Sequence, residues 1–503
     1  MKIFKNNIGK FSLLFFSVLF LITRFYRLDS LPIFTDEAIY VRWTQIIKSV
    51  ETLRFIPLTD GKQPFYMWLS VPFLKFIKDP LIALRTLSVL SGLGLFIGTW
   101  VFLGLQTKTK IHSNPLLLLW DSLETNLTPK LILSILFIIN TYSLMFDRLA
   151  SADTMLSMFL VWGIIFTLLQ KSYYRVDIAL ILGGIFGLAW LTKSPAPIFF
   201  AISSAYLFLK SKNKKKAIVL SVLSGIVMFG IYSILRLGPQ FHMISLRNAD
   251  YVYPYSHILY SLFDPIRPHA IAQIDIYANY INIFILIIGL FLYTKATSST
   301  KYLNIFLWLV PTVGVLLYAK VFTSRYTLFT LPYLITILSL GWAYLLKKSK
   351  LALILFIPLC FLQAKYSYNL VTNPFTLQLP KNDQGYTKEW TAGWGIKDMS
   401  EFFISEARSG KNVIVATEGN FGNPKDSIQV YTNNIAGVTV VPQDVYFTKI
   451  PDSMQNAKNA GDFVYFVYNS NRVNLDSISK SKVELITSFI KPDQTSYQVY
   501  KLL

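Results

Sequence analysis

The chain has 503 residues, of which 53% are apolar and only 15% are charged, about 10% below the charged share of a typical soluble domain. Runs of roughly 18 apolar residues recur, and each is long enough to cross a bilayer core of about 30 Å. The formal net charge is +21, but the basic residues cluster between apolar runs, which argues against a nucleic-acid partner. The single cysteine, Cys360, excludes an intramolecular disulfide. The composition predicts a polytopic α-helical membrane protein.

The N-terminal region predicts a first membrane helix that is not cleaved. Lysines at positions 2, 5 and 10 precede an apolar run over residues 11–23, and no small-residue cleavage site follows it. By the positive-inside rule we expect this end of the chain to lie in the cytoplasm.

The next region, residues 29–82, predicts two helices that lie in the membrane interface. Residues 36–48 carry apolar side chains at helical spacing, and residues 64–78 are aromatic and apolar but too short to cross. Both patterns are typical of amphipathic interfacial helices. We therefore place them in the first outer loop.

Ten further apolar runs predict a total of about eleven spans. They lie at about 83–105, 131–146, 154–170, 177–192, up to 209, 217–236, 279–294, 302–319, 327–345 and 351–366. Basic segments alternate with the outer loops, which include a polar loop at 237–278. This alternation predicts a transmembrane domain over residues 1–366 and an extracytoplasmic soluble domain over residues 367–503.

The C-terminal region predicts a small α/β or α+β domain. Residues 397–408 have a helical pattern, and five stretches after them have the pattern of strands. The strand stretches are 412–417, 437–441, 462–468, 483–489 and 496–502. Strands that alternate with helices favour one compact unit.

Several charged side chains fall at the outer ends of the predicted spans. They are Asp36, Glu37, Lys62, Arg85, Asp147, Arg148, Asp153, Lys193 and Arg325. Charges in this layer are unfavourable unless they are paired or functional. A carboxylate can accept the proton of an attacking hydroxyl, and cations can stabilise a departing phosphate. The layer therefore suits group transfer from a phosphate on a lipid carrier, with Arg85 and Asp153 among the candidate substrate- or phosphate-binding residues.

Six of these nine residues also have a structural interpretation. Asp36, Glu37 and Asp153 could stabilise a helix N-terminus. Arg148, Lys193 and Arg325 could be interfacial anchors. Position alone leaves the two interpretations open.

Six short motifs resemble, in order, those of the family 39 membrane glycosyltransferases, which include protein O-mannosyltransferases and lipid A aminoarabinose transferases. The motifs lie at 35–40, 61–69, 83–88, 147–153, 191–194, and 324–326 with 331–332. Gln63 and Ser194 depart from the family pattern, which commonly has proline and glycine there. The tail at 367–503 shares no motif with a characterised member.

The resemblance implies a multi-helical GT-C-like fold and an inverting transfer from a polyprenyl-phosphate sugar. It implies Asp36 as the catalytic base, with Glu37 as its neighbour or substitute. It also implies a donor-phosphate site that includes Lys62 and Arg148, with Lys193 or Arg325 as further members.

Several alternatives concern the wider function. We expect no obligatory metal, although Asp36, Glu37 and Asp153 could together hold Mg²⁺ or Mn²⁺. A secondary transporter or lipid flippase is the main rival function, but its charges should lie near the bilayer midplane. The sequence names neither the sugar nor the acceptor.

Overall fold

The computed structural model describes residues 7–106, 114–296, 300–444, 449–472 and 482–503. The lysines at positions 2 and 5 lie outside these residues, as do parts of the chain between the second and third predicted spans and between the eighth and ninth.

The described residues form 22 α-helices, most of them in an apolar bundle. They are α1 Ile8–Phe25, α2 Thr35–Ser49, α3 Phe65–Ser70, α4 Phe73–Phe76, α5 Pro80–Leu105, α6 Pro115–Ser122, α7 Leu127–Ile139, α8 Thr141–Asp147, α9 Asp153–Tyr173, α10 Val176–Thr192, α11 Ala196–Lys210, α12 Lys214–Tyr232, α13 Met243–Tyr251, α14 His257–Tyr260, α15 Phe263–Tyr277, α16 Ile283–Lys295, α17 Lys301–Tyr318, α18 Leu331–Lys348, α19 Ala352–Thr372, α20 Ile396–Arg408, α21 Lys425–Thr432 and α22 Asp452–Asn459.

The apolar helices confirm a multi-pass membrane protein. Among the described residues, eight helical segments are long and apolar enough to cross a membrane, or nine if α6 and α7, bent by 71°, form one span. The shorter apolar helices α10 and α11 lie at the fifth and sixth predicted spans. Each of the eleven predicted spans therefore coincides with apolar helix, and α2 to α4 coincide with the predicted interfacial helices.

Two details of the predicted bundle are wrong. The third span is not continuous, because α7 ends at Ile139 and Asn140 caps the separate helix α8 by accepting from the Ser143 N–H. The region 237–278 is not a simple polar loop. It forms α13, α14 and α15, and a π-helical turn at Ala278–Asn282 joins α15 to α16. The sequence pattern hides these helices because proline and charged residues, including Pro268 inside α15, interrupt their apolar runs.

The C-terminal domain is a five-stranded mixed sheet with helices, as predicted. Its strands are β3 Val413–Glu418, β4 Val438–Gln443, β5 Phe463–Asn469, β6 Val483–Ile490 and β7 Ser496–Leu502. They occur in the order β4-β3-β5-β7-β6. β3 pairs in parallel with β4 and β5, whereas β7 pairs antiparallel with β5 and β6. All five predicted strands are present.

A second, very short sheet joins this domain to the bundle. β1, Ile33–Phe34, directly precedes α2 and pairs antiparallel with β2, Ala392–Gly393. In addition, Ala38 and Val41 of α2 share one buried core with Phe403 of α20 and Val415 of β3. The start of α2 is therefore held from both sides.

Candidate active site

Asp36 lies in the first turn of α2, and two cations bind its carboxylate. Lys62 Nζ donates to Oδ1 over 3.4 Å, and the Arg325 guanidinium donates to Oδ2. The side chains are only partly covered, with exposures of 23% for Lys62 and 19% for both Asp36 and Arg325. One carboxylate and two cations thus meet where solvent or a ligand can reach them.

These contacts change the acid–base properties of Asp36. Burial would raise the pKa of the Asp36 carboxyl, but the charges of Lys62 and Arg325 outweigh burial and hold this pKa well below its usual range. Burial would likewise lower the pKa of Lys62, but Asp36, Tyr40 and Asp60 raise it above its usual range. All three groups are ionised in this state.

A second ion pair adjoins the first. Lys193, which directly follows α10, contacts the Asp153 carboxylate at the start of α9. The ring of Tyr326 lies 5.7 Å from Lys193 Nζ and 5.4 Å from the Arg325 guanidinium carbon. Tyr326 therefore lies between the two pairs and brings them into one site.

The two departures from the family motifs contact each other. Gln63 Nε2 donates to Ser194 Oγ over 2.7 Å. Gln63 follows Lys62, and Ser194 follows Lys193. This bond fixes the distance between the two backbone segments that present the lysines.

Glu37 faces away from this site although it is adjacent to Asp36. Its carboxylate is 1% exposed and accepts from Arg85 Nε over 2.9 Å and Nη2 over 2.7 Å. It also accepts the N–H groups of Phe34 and Ala150. Both carboxylate oxygens of Glu37 are occupied by these contacts, which favours the structural interpretation of Glu37, and Arg85 is its buried partner.

Arg148 is buried and binds the end of α1. Its guanidinium donates to the carbonyl oxygens of Arg24, Tyr26 and Arg27. These carbonyls lie at or just after the C-terminus of α1, where a cation is favourable. Arg148 therefore does not snorkel as an anchor, and its two Nη groups donate to the α1 end instead of facing Asp36.

The three carboxylates proposed for a metal are engaged in other contacts. Asp36 binds two cations, Glu37 binds Arg85, and Asp153 binds Lys193. Among the described residues, no group of three or more His, Cys, Asp and Glu side chains is arranged to hold a metal ion. The expectation that catalysis needs no obligatory metal stays a prediction.

Sequence reasoning missed two residues near the site. Asp60 pairs with Lys62 at 3.4 Å and with Arg247 at 2.8 Å. Tyr386, from the segment after α19, packs its ring 4.3 Å from that of Phe34. Asp60 could have been identified from the sequence, because it lies only two residues before Lys62. Nothing local in the sequence places Tyr386 near residue 34.

The fold is similar to that of ArnT from Cupriavidus metallidurans. The crystal structure of apo ArnT matches with a TM-score of 0.60 at 13% identity, covering 97% of each chain. The chain has the GT-C-like fold of ArnT. The structure of ArnT bound to undecaprenyl phosphate matches with a TM-score of 0.56 at 11% identity and the same coverage. No family model matches the chain, and no curated protein sequence matches it significantly.

This similarity confirms the fold that the motif resemblance implied. It extends through the C-terminal domain, since 97% of the chain is covered. The tail that shared no recognisable motif is therefore part of the ArnT-like architecture, although identity of 13% leaves little sequence signal.

Proposed function

We propose that this chain transfers a glycosyl group from a polyprenyl-phosphate sugar to an acceptor hydroxyl, with inversion at the anomeric carbon. The observation that supports this most strongly is the Asp36 carboxylate held by two cations, Lys62 and Arg325, in a partly exposed site. The fold of ArnT, which has been crystallised with undecaprenyl phosphate, supports a polyprenyl-phosphate donor.

In this proposal the donor phosphate displaces the Asp36 carboxylate from Lys62 and Arg325. A phosphate diester oxygen that approaches Lys62 and Arg325 competes with the carboxylate for the same N–H donors. Each cation that turns to the phosphate leaves Asp36 less stabilised as an anion, so its pKa rises and it becomes a stronger base. Donor binding would thus prepare the base for catalysis.

The chemical step then needs one base and one stabilised leaving group. The acceptor oxygen forms a bond to the anomeric carbon while its proton passes to Asp36. The bond from the anomeric carbon to the phosphate oxygen breaks, and its electron pair stays on the polyprenyl phosphate. Lys62 and Arg325 stabilise the negative charge that grows there. Lys193 and Asp153 would orient the donor beside Tyr326.

We further propose that this site and the C-terminal domain lie on the extracytoplasmic side, with the N-terminus in the cytoplasm. The basic segments between spans support this orientation. An external protease added to intact cells should remove the C-terminal domain. Cleavage that occurs only after lysis would mean that the domain lies on the cytoplasmic side.

A donor screen tests the function itself. The purified protein would be incubated with a panel of polyprenyl-phosphate sugars, and mass spectrometry would measure the release of free polyprenyl phosphate. We expect release from at least one donor in the presence of membrane extract as a source of acceptors. If no donor is consumed, the transporter or flippase alternative gains.

A further inference from the structure

The segment at 381–393, here called the return segment, brings the chain back to the candidate site after the last span. It begins with the 3-10 turn Lys381–Tyr386 and ends with β2. β2 pairs with β1 next to Asp36, and the Thr35 N–H donates to the Thr391 carbonyl over 3.1 Å. One end of the return segment therefore holds the backbone that presents Asp36.

The other end of the return segment holds the backbone that presents Arg325. Asp383 is fully buried, and its Oδ1 accepts the Ser324 N–H over 3.2 Å. Its Oδ2 accepts from the Ser324 hydroxyl and from the Tyr280 hydroxyl, the latter over 2.8 Å. On the opposite side, the Tyr142 hydroxyl donates to the Ser324 carbonyl. Ser324 is thus fixed through its N–H, its side chain and its carbonyl.

The buried Asp383 carboxylate receives most of its hydrogen bonds from Ser324, the residue before Arg325. Desolvating an acid is unfavourable unless its oxygens are satisfied, and Asp383 obtains three donors, two of them from Ser324. Arg325 is the next residue, and its Nε is buried without a hydrogen-bond partner among the described residues. The guanidinium is therefore directed by its backbone and by Asp36 more than by other side-chain contacts.

We propose that Asp383 is a positioning residue that holds Arg325 against Asp36 through Ser324, so that the return segment completes the site. This inference rests on the proposed function, because it concerns the geometry of the cation that binds the donor phosphate. Loss of Asp383 would free the Ser324–Tyr326 turn and let the guanidinium shift. A misplacement of about 1 Å can lower a rate roughly 100-fold.

A double-mutant cycle on kcat/KM for the donor tests this inference. D383A should lower kcat/KM by roughly 10- to 100-fold, and D383N, which keeps the volume and one acceptor oxygen, should lower it less. D383A/R325A should equal R325A within about twofold, because a residue that acts only through Arg325 has no effect once Arg325 is gone. D452A is the control. The Asp452 side chain is 86% exposed and lies outside the return segment, so its removal should leave kcat/KM within about twofold.

The outcomes separate this inference from the proposed function. Suppose that R325A loses activity and that D383A/R325A loses more, by the factor that D383A alone shows. Asp383 then acts independently of Arg325, and only the inference fails. If R325A keeps the parental kcat/KM, the proposed role of Arg325 fails and the inference fails with it. Should D383A not fold, the cycle is repeated with S324A, which removes the hydroxyl bond to Asp383 and should show the same non-additivity with R325A.

Discussion

At the scale of single residues, adjacent acids have opposite environments. Asp36 is 19% exposed and binds two partly exposed cations, whereas Glu37 and Arg85 are both buried. Successive residues on an α-helix point about 100° apart, so one of them faces the site and the other faces the packed interior. The sequence identifies the acidic pair but not which member faces which way, because that depends on what packs against α2.

The Glu37–Arg85 pair predicts a loss of stability on E37Q. Removing one charge leaves Arg85 buried and uncompensated, which destabilises by about 3–5 kcal/mol. Thermal unfolding of the purified protein in detergent should show a clearly lower Tm. D177N is the matched control, since the Asp177–Arg175 pair is exposed, and its Tm should not change measurably. If E37Q has the parental Tm but no longer transfers sugar from the donor, Glu37 has a catalytic role.

At the scale of elements, the sequence predicts which helices exist better than where they break. Eleven apolar runs coincide with helices because burial in lipid requires long apolar segments. The break at Asn140 is not visible in hydropathy, since it depends on the Asn140 side chain capping α8. The contact between Gln63 and Ser194 is also hidden, because 131 residues separate them.

The Gln63–Ser194 bond predicts coupling between two loops. Q63A and S194A should each lower kcat/KM for the donor by roughly 2- to 10-fold, the range of one hydrogen bond worth about 0.5–1.5 kcal/mol. The double variant should be no worse than either single variant, because both remove the same bond. Independent, multiplying losses would mean that the bond does not fix the spacing of Lys62 and Lys193.

At the scale of the whole molecule, the C-terminal domain and the interfacial helices share one core. Ala38 of α2, Phe403 of α20 and Val415 of β3 belong to the same buried cluster. The strand pattern predicts the sheet, but no local pattern indicates that the sheet packs on α2. Such contacts join residues more than 360 positions apart and leave no local pattern.

This shared core predicts that damage in the domain destabilises the membrane part. F403A removes a fully buried ring that lies 5.4 Å from Tyr465, and it should destabilise by about 3–5 kcal/mol. F421A is the control, because Phe421 is 63% exposed. Unfolding should be followed both by tryptophan fluorescence, since eight of the ten tryptophans precede residue 367, and by proteolysis of the domain. Two separate transitions, with the bundle unaffected by F403A, would contradict a common core.

The central claim is that Asp36 is the base of a transfer from a polyprenyl-phosphate sugar. It is tested most directly by comparing D36N with the parent protein on the donor that the screen identifies. Loss of a general base should lower kcat by roughly 10²- to 10⁴-fold, while D29N, which changes an exposed acid just before β1, should keep the parental rate. Equal turnover by D36N and the parent would contradict the account.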